Sequence, residues 1–208
     1  MIRRIVLTFF LFVAPLSAFA HAEVTIVALG DSLTAGLGVD PESAFPAKLE
    51  AALKARGHDV RVINAGVSGD TASAGRDRLD WVLADDVDAV ILELGANDAL
   101  RGIAPAETRA ALSAILEALK QRNLPVLVAG MLAPRNLGPD YSAAYDPIFS
   151  DLANQYGALY YPFFLDGVAT RPDLNQADGL HPNPAGVDEI VTRITPSVEQ
   201  LLARVVAK

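Results

Sequence analysis

Three runs of nearly uninterrupted apolar residues constrain this chain most: "VTIVAL" (24–29), "VDAVILEL" (87–94) and "LPVLVAG" (124–130). A strand with one wetted face alternates apolar and polar residues, so runs lacking that alternation belong to strands covered on both faces. "VRVIN" (60–64) and "ALYYPF" (158–163) read as two further strands. Between them lie stretches of helical period: "SAFPAKLEAALKARG", "DTASAGRDRLDWVLA", "APAETRAALSAILEALKQRN" and "YSAAYDPIFSDLANQYG". A last helix, 184–205, follows "HPNPAG", whose proline suits a helix start. Strands alternating with helices build a parallel sheet with helices on both sides. The expected fold is α/β, a doubly wound parallel sheet of about five strands with helices on both faces. No repeat, low-complexity tract or linker divides residues 23–208, which read as one domain.

Residues 1–22 form a separate unit. Arg3 and Arg4 precede "IVLTFFLFVAPLSAFA", an apolar run broken by Pro15 and closed by small residues. A basic start, a short apolar core and an A-x-A-like exit make a signal peptide, with cleavage after Ala20 or Ala22. The run is too short for a spanning helix, which takes ~20 apolar residues. The mature domain is therefore expected in the periplasm or outside the cell, without stable membrane insertion. Losing two arginines and no acid takes the formal net charge from −8 to −10. Such a surface repels nucleic acid and anionic membranes. The absence of cysteine excludes disulfides, thiolate metal sites and a cysteine nucleophile. A monomer stabilised by its core alone is the expectation.

In a doubly wound sheet, ligands sit at the carboxyl ends of the strands, near the point where strand order reverses. The first strand runs into "GDSLTAG", the second into "NAGVSGDT", the third into "ELGANDALRG", and "ADGLHPNPAG" lies near the end of the chain. Each combines glycine with small polar residues at the same expected edge. Taken alone, Ser32 is a helix cap, Gly69 a turn residue, Asn97 another cap and Asp178 a loop acid. Taken together they fit acyl transfer. Ser32 is the candidate nucleophile, His181 the base, and Asp178, three residues before His181, the group that orients the imidazole. Ser32 and Gly69 offer backbone N–H groups and Asn97 a carboxamide for the oxyanion. His21 lies at the signal junction and His58 in a distant turn. Leu100, Met131, Leu132, Tyr141 and Tyr145 are candidates to line an acyl groove. Trp81, the only tryptophan, is expected in the core.

"GDSLTAG", "GVSGDT", "GANDALRG" and "DGLHPN" resemble, in order, the four blocks of the SGNH (GDSL-type) hydrolase superfamily. Its four letters would fall on Ser32, Gly69, Asn97 and His181. "ELGANDALRG" and "PFFLDGV" further resemble the TesA-type arylesterase, lysophospholipase and thioesterase group. The resemblance covers the whole mature chain. It implies a three-layer α/β/α fold, a Ser-His-Asp triad, no metal or organic cofactor, and a small acyl ester or lipid as substrate. Ala96 and Ala99 stand where many members of that group have glycine; alanine removes backbone freedom, so a stiffer segment is expected there. Two alternatives stay open: a carbohydrate O-acetyl esterase of the same superfamily, and a non-catalytic binding module on a flavodoxin-like sheet.

Overall fold

Five parallel strands, in the order β2-β1-β3-β4-β5, carry the chain. They are β1 (Val24–Gly30), β2 (Val60–Gly66), β3 (Ala89–Glu93), β4 (Val126–Ala129) and β5 (Leu159–Tyr161). The structure, a computed structural model, describes residues 23–83 and 86–207. The expected signal peptide, 1–22, lies outside the described residues. β1 pairs with β2 from Val24↔Val60 to Gly30↔Gly66 and with β3 from Ile26↔Ala89 to Gly30↔Glu93. The chain leaves β1 to one side for β2 and then crosses to the other for β3. The reversal in strand order therefore falls between β1 and β3, where a crevice opens at their carboxyl ends.

The apolar runs are covered on both faces as their patterning predicts. All five residues of β3 and all four of β4 are buried. Helices α2 (Phe45–Ala55) and α9 (Pro184–Val206) pack on each other; α3 (Ala72–Asp77), α6 (Pro105–Gln121) and α8 (Ile148–Tyr156) form a second group. Each apolar side chain buried between these layers contributes about 1.5–3 kcal/mol before entropy is counted. Short helices α1 (Ser32–Ala35) and α5 (Ala96–Leu100) follow β1 and β3 directly.

Two expected helices are broken. The stretch 70–84 divides at Arg78, which leaves helical geometry (φ −106°, ψ 6°) between α3 and α4 (Leu79–Val82). Its guanidinium is held by Asp70 Oδ2 at 2.6 Å and the Gly30 carbonyl at 2.9 Å. The stretch 141–157 divides at Pro147, whose ring cannot continue a helix, giving α7 (Pro139–Tyr145) and α8. Trp81 corrects the core expectation: it is 91% exposed. In α4 it lies two residues from buried Leu79 and from buried Leu83, about 200° away around the helix from each, so burying those two turns the indole outward.

Candidate active site

Asp31 lies between β1 and α1 as the cap of the helix. Its Oδ1 accepts the Leu33 N–H at 2.9 Å, so the helix cap is Asp31 and not Ser32. That frees the Ser32 hydroxyl. It lies 2.9 Å from Nε2 of His181, 149 residues later in the chain. His181 Nδ1 lies 2.7 Å from Asp178 Oδ2. An ionised carboxylate only accepts, so Nδ1 carries the proton and Nε2 accepts from Ser32. The Asp178–His181 pair is not helical. It is a loop in which Asp178 Oδ1 accepts the backbone N–H of Leu180 (2.9 Å) and of His181 (3.0 Å). Those bonds and the imidazole partner hold the Asp178 carboxyl well below the usual carboxylate range.

Asn97 lies on α5. Its carboxamide Nδ2 donates to Asp31 Oδ2 and to the Asp70 carbonyl, each at 3.0 Å. A third acceptor, such as an oxyanion, would replace one of these two. Gly69 sits at φ +87°, a backbone region that glycine adopts without strain, and its carbonyl accepts from Arg101 Nη2 at 2.8 Å. Arg101 and Asn97 thus tie the Gly69–Asp70 turn to α5. The segment carrying Asn97 is fastened from behind as well. Asp98 accepts from the Ala72 N–H (2.8 Å) and the Thr108 hydroxyl (3.0 Å), linking α3, α5 and α6.

Ser32, Asn97 and His181 open into a groove of about 400 Å³. Of the residues expected to line it, Leu100, Met131 and Leu132 do. Tyr141 and Tyr145 do not, and their assignment is corrected. They stack at 5.7 Å on the far side of α5, where Tyr145 donates to the Gly95 carbonyl (2.6 Å) and Tyr141 to that of Ile103 (2.7 Å). Both phenols serve backbone groups flanking α5, because a buried hydroxyl needs a partner and these carbonyls supply it. The groove instead takes Phe163, Leu165 and Leu180. Leu180 was legible only as the neighbour of His181. A second cleft of about 440 Å³ at the amino ends of β4 and β5 carries Lys120 and Arg204 but no serine, histidine or carboxylate.

Sequence reasoning passed over Glu93, the last residue of β3, which is 1% exposed. Its Oε2 accepts from the Thr34 hydroxyl at 2.7 Å and from the Asp31 N–H at 3.4 Å. One signal for it was present: a glutamate within the apolar run "VILEL". Arg78 and Arg101 carried no such signal.

The family model of the GDSL-like lipase/acylhydrolase family matches residues 28–188. The chain belongs to that family. It is 37% identical over 182 residues to "Esterase TesA" of Pseudomonas aeruginosa, covering 87% of this chain and 90% of the relative. It is also 37% identical over 175 residues to "Thioesterase 1/protease 1/lysophospholipase L1" of Escherichia coli K12, covering 84% and 83%. The solved structure of AlinE4, described as a SGNH-hydrolase family esterase, shares 48% identity and superposes with a TM-score of 0.74 over 88% of this chain and 98% of that one. The five-stranded parallel sheet with helices on both sides is the fold of this chain, and it superposes on that SGNH-hydrolase esterase. Among the described residues, no helix is long and apolar enough to cross a membrane.

Proposed function

We propose that this protein is a serine esterase in which Ser32 is acylated, His181 moves the protons and Asp178 orients His181. The observation that carries the reading is the relay from Ser32 Oγ to His181 (2.9 Å) and on to Asp178 (2.7 Å), open to an apolar groove. Ser32 Oγ attacks the ester carbonyl as its proton passes to Nε2, and the tetrahedral intermediate collapses when His181 returns that proton to the leaving alcohol. Water, deprotonated by His181, then releases the acid and regenerates Ser32. The oxyanion would be met by the backbone N–H groups of Ser32 and Gly69 and by Asn97, with the amide giving up one of its present acceptors.

Short to medium acyl chains fit a groove with Leu100, Met131 and Leu132 on its wall. Lysophospholipids and thioesters, which the relatives' names include, would be slower substrates. The sugar-acetate alternative gains nothing from Trp81, which is exposed but does not line the groove. Residues 1–22 support export to the periplasm or beyond, which N-terminal sequencing of the secreted form would test. A fluorophosphonate probe is expected to label the wild type and not a folded Ser32→Ala variant. Equal labelling of both would put the nucleophile elsewhere. On p-nitrophenyl esters, turnover is expected to climb with chain length by up to about 0.8 kcal/mol per buried methylene and then fall. Release of acetate from sugars without turnover of simple esters would favour the carbohydrate alternative.

A further inference from the structure

The buried carboxyl of Glu93 lies directly beneath the turn that presents Ser32. At the end of β3 it pairs in register with Gly30, the residue before Asp31. A Cβ on Gly30 would come within 2.6 Å of Glu93 Oε2 and closer still to the Thr34 hydroxyl. The glycine that opens "GDSL" therefore makes room for a carboxyl from the neighbouring strand. That carboxyl joins two points on either side of the nucleophile, the Asp31 N–H and the Thr34 hydroxyl, both of them buried.

We propose that Glu93 is a positioning residue for Ser32, holding the β1–α1 turn from below as a neutral acid. The inference rests on the assignment of Ser32 as nucleophile. Two features of the geometry argue for the neutral form. Glu93 Oε1 is buried and, among the described residues, has no hydrogen-bond partner. A charge there would be without compensation, at high cost. Asp31, the next carboxylate, is already engaged by Leu33 and Asn97. Burial and the charge of Asp31 together push Glu93 well above the ordinary carboxylate range, and burial raises Asp31 itself to about 6. The other charged or titratable groups around the turn are Asp70 and His181, both acting on Asp31, Tyr145 of α7, and Arg78, which donates to the Gly30 carbonyl. No cation bonds to Glu93 itself among the described residues.

A carboxyl whose folded pKa is raised binds its proton more tightly when folded, so its burial costs more as pH rises above the ordinary glutamate value toward the folded one. Replacing it by glutamine removes that cost.

The test compares wild type, Glu93→Gln, Glu93→Ala and Thr34→Val as full chains, reading kcat and KM on a p-nitrophenyl ester and Tm from pH 5 to 9. Glu93→Ala is expected to lose on the order of 10²-fold in kcat with KM little changed, the scale of a misplaced nucleophile. Thr34→Val is expected to lose about tenfold, one hydrogen bond's worth. Glu93→Gln restores most of the wild-type kcat, and its Tm gains on the wild type as pH rises. Should Glu93→Ala fail to fold, Thr34→Val carries the same test, and an unchanged kcat in it overturns the proposal. A Glu93→Gln variant as impaired as Glu93→Ala, or one whose Tm advantage does not grow with pH, overturns the neutral-acid form. Fluorophosphonate labelling of the wild type separates the two readings: an unlabelled wild type refutes Ser32 as nucleophile, whereas a labelled one with all variants equally active refutes only the role of Glu93.

Discussion

Acidic side chains lie on two sides of Ser32 and behave in opposite ways. Asp178, on the loop at the mouth, is about half exposed, accepts two backbone N–H groups and an imidazole, and is held below the usual carboxylate range. Glu93, beneath the turn, is buried, accepts one hydroxyl and one long N–H contact, and is pushed above it. The difference lies in the supply of donors and water and not in the residue type. On the proposed reading, the carboxylate of Asp178 stays charged beside the base, whereas the carboxyl of Glu93 stays neutral beneath the turn that presents Ser32.

Breaking the mouth should have the largest effect. Asp178→Asn leaves a side chain of the same shape that can stabilise the wrong imidazole tautomer, and the expected loss is up to ~10⁴ in kcat. Steady-state kinetics across pH would check this. Because the Asp178 carboxyl is held below the usual carboxylate range, its own protonation should not limit activity in mildly acidic solution. A wild-type kcat in Asp178→Asn would contradict the orienting role of the carboxylate.

The link between the two regions is Asn97, bonded to Asp31 on one side and to the Gly69–Asp70 turn on the other. Asn97→Ala is expected to cost about 10²–10³ in kcat with little change in KM. An effect confined to KM would make Asn97 a substrate-holding residue.

The smallest effect belongs to the groove wall. Leu100 is 53% exposed, so Leu100→Ala should alter stability by less than about 0.5 kcal/mol. Its effect should show instead as a shorter optimum acyl chain in the p-nitrophenyl series. A uniform loss at every chain length would place Leu100 outside the acyl path.

Ala96 and Ala99 show how far a local reading reaches. Alanine in place of glycine pointed to a stiffer segment, and α5 is a regular helical turn with Ala99 buried. The fastening, however, comes from Tyr145, Tyr141 and Asp98, whose bonds to Gly95, Ile103, Ala72 and Thr108 span up to 50 residues. Tyr141 and Tyr145 looked like groove residues because an aromatic in a loop-rich stretch is as compatible with lining a cleft as with backing a helix. Only the side of α5 on which they pack separates the two.

What the sequence by itself determined here is set by local physics. Unalternated apolar runs required strands covered twice, helical periods required covering layers, and glycine beside small polar residues marked the turns at one edge. Those turns carried Ser32, Asn97 and His181, and the spacing of Asp178 from His181 was short enough to read directly. Tertiary structure decided what depends on register and depth. It brought Ser32 to His181 across 149 residues, set Glu93 against Gly30, moved Trp81 out of the core and sent two tyrosines behind α5. The reason is that hydrophobic period reports which face of an element is buried, whereas distances and desolvation depend on which other elements pack against that face.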